Sequence, residues 1–203
     1  MNWVSILLLT GALPPPDYEA ALRSQAEEQT DLLLSRQQTE LARKHIENFR
    51  AHISDDARLT YEHGLVLRFS GKPHEAIELL EKAIQMDPKL AEAWYDLGEA
   101  QINVDEEDNA IHSFEQAAKL SVEHPNGWAA PYRLAEIAGN TKDIAAFEKW
   151  LEEAMKRGFS FVHTLQGNVR WKTFFNDPDL GDIMRRLITV YENEKLLDFW
   201  QTP

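Results

Sequence analysis

Residues Ala91–Ala100 read AEAWYDLGEA, and a copy lies upstream in Ala57–Val66, ARLTYEHGLV. Aligned on each other, the two bring Tyr61 over Tyr95 and Gly64 over Gly98, and the register continues through Ala76 with Ala110 and Ala83 with Ala117, every pair 34 residues apart. A fixed period of this size is the mark of a repeat array, in which each unit buries its apolar face against its neighbours. A small residue recurs wherever two helices must cross closely. Large apolar residues beside it, such as Trp94, Leu97 and Phe114, fill the space around the crossing.

On these residues and this period the stretch resembles the tetratricopeptide repeat family. The resemblance implies an all-α fold, a right-handed superhelical α-solenoid of antiparallel helix pairs. Repeat one is expected over 57–90, with Gly71 and Pro73 in its turn, where glycine takes positive φ and proline opens the next helix. Repeat two is expected over 91–127, with the acidic run Asp105, Glu106, Glu107, Asp108 as its turn. A third unit over 128–157 is offset: Tyr132, Leu134, Ala135 and Ala154 follow Tyr95, Leu97, Gly98 and Ala117 by 37, so three residues are inserted. Pro125 follows Pro88 by the same 37, which puts the insertion in the second helix of repeat two or at its end. In this unit Pro131 replaces Trp94 and Phe147 replaces Ala76 and Ala110. The proline fits a first helical turn, whereas the phenylalanine needs a wider gap between helices.

Upstream, 17–56 reads as a helical cap or degenerate repeat. Ala42, Ile46 and Phe49 keep the 34-residue register with Ala76, Leu80 and Ala83, and the polar patch Ser35–Glu40 is where one helix would become two. Downstream, 158–203 resembles a segment that closes bacterial tetratricopeptide arrays, on Gly158, Phe159, Leu165, Trp171, Phe174, Asn176, Asp177, Pro178, Leu180, Met184 and Leu187. Asp177 can cap the helix that Pro178 opens, the aromatics can cover an end face, and Leu196–Pro203 forms a tail.

Residues 1–16 join an apolar run, MNWVSILLLTGAL, to Pro14, Pro15 and Pro16. The run is shorter than the roughly 20 residues a spanning helix needs, so no stable membrane span is expected. A small-residue cut after Ala12 would suit a signal peptide, which would put the chain in a bacterial periplasm or envelope. Without a basic start, the other reading is an apolar tail on a cytoplasmic protein. The chain has 203 residues, no cysteine and a formal net charge of −13. The missing cysteines rule out disulfides and thiolate zinc sites. The charge argues against nucleic acid and anionic membranes.

No phosphate loop, His-Glu-x-x-His helix or nucleophile elbow occurs, so no enzyme, cofactor or metal is expected. His45 and His52 lie two turns apart, roughly 10 Å, too far to share one ion. The acidic run lacks the spacing of a calcium loop. It reads better as a solvated turn whose acids sit at a helix N-terminus. His63 replaces Leu97 and reads as a half-buried packing residue.

What remains is a surface. In the family the first helix of each repeat lines a concave groove, and the resemblance carries that face onto Arg58, Tyr61, Leu65, Arg68 and Phe69. It continues with Glu92, Tyr95, Glu99, Ile102 and Asn103, then Ala129, Tyr132, Glu136 and Asn140. Three tyrosines offer area at low entropic cost, unless they are ordinary scaffold. The Lys and Arg with which family members clamp chaperone carboxylates are replaced by Tyr61, Glu99 and Tyr132. The expected role is a non-enzymatic adaptor or scaffold taking a protein or peptide, basic or aromatic over repeats two and three. The alternative is an exported structural or assembly factor of an envelope complex, acting by self-association or docking.

Overall fold

The structure, a computed structural model, describes residues 18–50, 56–161 and 168–191. The apolar segment 1–16, His52, His163, Leu165 and the tail 196–203 lie outside the described residues. Among those described, ten helices and no strand are found. They fall into two compact units, Met1–Pro88 and Lys89–Pro203.

The first unit holds α1 (Tyr18–Ser35), α2 (Thr39–Arg50), α3 (Ala57–Phe69) and α4 (Pro73–Met86). The polar patch does break the first stretch into two helices. Gln37 takes φ 58°, and the amides of Gln37 and Gln38 return to the carbonyls of Leu34 and Leu33 at 2.9 and 2.8 Å, which satisfies the free end of α1. Asp56 caps α3 by accepting the Leu59 amide at 2.8 Å. Gly71 takes φ 72° and Pro73 opens α4. Ala26, Ala42, Ile46, Leu59 and Val66 form one core. At the α3–α4 crossing, a Cβ on Gly64 would lie 2.9 Å from the Leu80 side chain.

The second unit holds α5 (Ala91–Ile102), α6 (Glu107–Leu120), α7 (Ala129–Thr141), α8 (Ile144–Lys156), α9 (Val169–Asn176) and α10 (Pro178–Tyr191). Helix α6 is 14 residues, like α4, and starts one period later. The insertion therefore lies beyond Leu120, in the connection to α7, and leaves the helix intact. Arg157 holds that connection, donating to the carbonyls of Ala118 at 2.7 Å and Gly127 at 3.2 Å. A Cβ on Gly98 would come within 2.8 Å of the Phe114 ring. In the next pair Ala135 and Leu151, both fully buried, take those two places, a larger small residue matched by a smaller large one.

Phe147 finds its room on the other side. Its ring is fully buried and lies 5.7 Å from Phe174 and 6.0 Å from Trp171. Gly139 makes the space, since a Cβ there would meet Phe174 at 2.8 Å and Phe147 at 3.1 Å. Trp171, Phe174, Phe159 and Phe161 are buried in one cluster with Leu180, Met184 and Leu187. Burial of each such side chain is worth about 1.5–3 kcal/mol. Asn168 caps α9 and Asp177 caps α10, each accepting two amides from the first turn.

Candidate functional site

In the first unit the residues assigned to the binding face lie on α3 and divide by burial. Tyr61 is 6% and Leu65 9% exposed, so both belong to the core. Arg58 covers Tyr61, its guanidinium 5.1 Å from the ring centroid, and is gripped by Glu62 at 3.2 Å and Glu27 of α1 at 3.4 Å. Arg68 stacks on Phe69 at 4.3 Å, and Phe69 is 52% exposed. This unit presents stacked cations at its surface, with its tyrosine underneath.

In the second unit α5 and α7 carry the face. Tyr95 is half-buried, its ring edge-on to Phe114 at 5.5 Å. Glu92 and Ile102 are half-buried, as is Ala129, while Asn103 and Asn140 are exposed. Glu136 is buried, with 5% of its side chain exposed. Between Glu99 and Glu136 stands Arg133, which the sequence reading passed over. Its Nε lies 2.6 Å from Glu99, a terminal nitrogen pairs with Glu136, and the guanidinium is 5.9 Å from the Phe114 ring centroid. Burial works to lower the Arg133 pKa, but the two carboxylates outweigh it and hold the pKa above its ordinary value. A signal was present in the sequence: Glu99 and Glu136 occupy equivalent places in successive repeats. Two carboxylates at equivalent places on neighbouring helices repel each other, and a cation between them relieves that repulsion.

Tyr132 is fixed on every side. Its hydroxyl accepts the Trp171 indole N–H at 2.7 Å and donates to Glu136 at 3.3 Å. The ring sits 4.9 Å from Phe159 and 5.2 Å from Trp171. Burial, then the Glu136 charge, push its pKa up to about 12. Burial and Glu99 likewise raise Tyr95. Both phenols therefore remain protonated donors throughout the physiological range. From α9, Arg170 approaches Glu136 at 3.7 Å with half its side chain exposed. Charges thus alternate across three helices as Glu99, Arg133, Glu136 and Arg170, beside two tyrosine rings. The strip can hydrogen-bond and stack.

The histidines are dispersed. His63 is half-buried and its Nδ1 lies 2.6 Å from an Arg50 nitrogen, so that ring nitrogen accepts. His45 stacks on Phe49 at 4.7 Å. Of the acidic run, Asp105 takes φ 61° in the turn and Glu107 and Asp108 occupy the first turn of α6. Among the described residues no three metal-binding side chains converge, and no helix is long and apolar enough to cross a membrane.

Two family profiles match this chain: the TPR repeat over residues 64–104 and the tetratricopeptide repeat over 91–122. The cytochrome c-type biogenesis protein CycH of Pseudomonas aeruginosa is 29% identical over 136 residues, 64% of this chain and 33% of that protein. The formate-dependent nitrite reductase complex bifunctional subunit NrfFG of Haemophilus influenzae is 40% identical over 94 residues, 46% of this chain and 24% of that protein. The chain thus spans a third or less of these two relatives. Among solved structures, PilF of Pseudomonas aeruginosa superposes with a TM-score of 0.64 at 16% identity, covering 85% of this chain and 70% of that one. MamA gives 0.63 at 17% identity, covering 91% and 98%. YrrB, described as a TPR protein with an unusual peptide-binding site, gives 0.55 at 18% identity, covering 73% and 74%. With the 34-residue period, the paired helices and the small-residue crossings at Gly64 and Gly98, the two profile matches mark residues 64–122 of this chain as tetratricopeptide repeats.

Proposed function

We propose that the chain is a non-enzymatic adaptor that binds a peptide or an extended protein segment on the first helices of its repeats, chiefly α5 and α7. The observation that carries this is the strip of half-buried tyrosine rings and alternating charges running from Tyr95 to Arg170. Tyrosine gives contact area at low entropic cost, and the fixed polar groups give register. Glu92, Glu99 and Glu136 outnumber Arg133 and Arg170, so the ligand carries basic and aromatic side chains. The test is peptide display against the full chain, followed by titration of selected peptides into the Asn103→Lys/Asn140→Lys variant. Lys/Arg- and aromatic-rich sequences whose binding weakens about tenfold in the variant support the reading. Acidic sequences, no selection, or unchanged binding by the variant would remove it.

A second reading is an assembly factor of c-type cytochromes, motivated by the CycH alignment over 64% of this chain. It predicts binding of apocytochrome c and not of the haem-loaded protein. Equal binding, or none, to the two forms argues against it.

A further inference from the structure

We propose that Arg133 is a pre-organised reader of a ligand's main-chain carbonyl and discriminates against a carboxylate at the same place. This rests on the peptide-binding reading and adds to it the residue that sets register. A guanidinium has five N–H donors in a rigid plane. Here Nε lies against Glu99 and one terminal nitrogen is bound to Glu136. The other terminal nitrogen has no partner among the described residues, and the side chain keeps 19% of its surface exposed, while Nε is buried. Glu99 from α5 and Glu136 from α7 hold the plane from two helices, and Phe114 lies beneath it at 5.9 Å. The outer N–H groups therefore point from a fixed position, and a ligand need not pay to order them.

Charge determines what they bind. Two carboxylates flank Arg133 directly, and the second cation, Arg170, reaches only Glu136, at 3.7 Å and half exposed to solvent, so a third carboxylate at Arg133 would still arrive beside Glu99, which no other cation of the strip meets. A neutral amide carbonyl accepts the same hydrogen bonds without that penalty. Tyr95, half-buried beside Glu99, supplies a ring edge for an adjacent side chain. The ligand class is thus an internal, extended stretch of peptide, read through its backbone, rather than a chain terminus.

The experiment is titration of the full chain with two probes that differ only in the acceptor, N-acetyl-tyrosinamide and N-acetyltyrosine, followed by NMR of the arginine Nε–H signals. The amide is expected to bind about tenfold more tightly, the scale of repulsion between like charges partly screened by solvent, and to shift the Arg133 signal. Arg133→Lys keeps the charge and loses the fork, and is expected to abolish the difference between the probes. Glu99→Gln removes one negative charge and is expected to bring the carboxylate probe level with the amide. The proposal falls if N-acetyltyrosine binds the native chain as well as the amide, if neither probe binds, or if either variant keeps the native preference. Displayed peptides that bind the native chain and Arg133→Lys equally would leave the face standing and remove Arg133 from it. Failure to select any peptide would instead remove the face.

Discussion

Each unit places an arginine from the first helix of a pair between two glutamates, one from its own helix and one from the first helix before it. In the first unit the set is Glu27, Arg58 and Glu62; in the second it is Glu99, Arg133 and Glu136. The outcomes differ. Arg58 lies over Tyr61 and the tyrosine is buried, whereas Arg133 leans toward Phe114 and Tyr95 remains half-exposed. The same charge arrangement therefore closes one face and leaves the other open. The helix crossings differ as well. Leu80 faces Gly64, whereas Phe114 faces Gly98 and presents a ring 5.9 Å from the Arg133 guanidinium.

The largest test of this contrast lies at the end of the second unit. Trp171→Ala should cost about 3–5 kcal/mol, the range for a buried large aromatic, because Trp171 is fully buried and also holds the Tyr132 hydroxyl. Thermal unfolding of the full chain measures it, and a change below about 1 kcal/mol would mean that the aromatic cluster does not hold the face in place. Next comes the crossing itself. Gly98→Leu should destabilise by about 1–3 kcal/mol or more through overpacking, against a ring with nowhere to turn. Gly64→Leu should cost less, since an aliphatic side chain relaxes by changing rotamer. Equal losses in denaturant titrations would break the distinction between the two crossings.

Smaller is the coupling between arginine and the preceding helix. A double-mutant cycle on the Arg133–Glu99 ion pair, at 2.6 Å and 19% exposure on both sides, should give about 1–2 kcal/mol, above the range of solvent-exposed pairs. The cycle on Arg58 and Glu27, at 3.4 Å and more exposed, should give about 0–1 kcal/mol. A larger value for the first unit would reverse the comparison.

The smallest effect concerns pH. Burial lowers the pKa of His45 from 6.5, so the unfolded chain takes up the proton first. His45 adds no penalty well above pH 6.5, and stability falls as pH drops from there toward the depressed folded value. His45→Phe should flatten that part of the curve while keeping the stack on Phe49. An unchanged pH slope would show that burial of His45 is not felt.

Tyr95 illustrates how much of the face was legible. The period assigned it to the first helix of its repeat, and in the structure it lies on α5. Its ring is half-buried against Phe114, so Tyr95→Phe is the cleaner binding probe. The sequence likewise placed Tyr61 and Tyr132 at equivalent positions, yet one lies beneath Arg58 and the other among Trp128, Phe159 and Trp171. Equivalence in a repeat specifies a helix face, and exposure depends on what the neighbouring helices bring to it. The stagger of Phe147 was also visible as an oddity, but its partner Gly139 was not.

By itself the sequence determined the repeat period, the helix pairs, the turn at Gly71, the cap at Asp177, and the small residues at the Gly64 and Gly98 crossings. These follow from local rules: backbone conformations open to glycine and proline, capping side chains, and the spacing of apolar residues on a helix. Only the tertiary structure decided that Arg133 joins Glu99 to Glu136, that Tyr61 is core, and that α9 lies against Tyr132 and Glu136. The contacts between helices among these, Arg133 with Glu99, Arg58 with Glu27 and Trp171 with Tyr132, link residues 30 or more positions apart, and long side chains choose their partners only after the helices have fixed the distances between them.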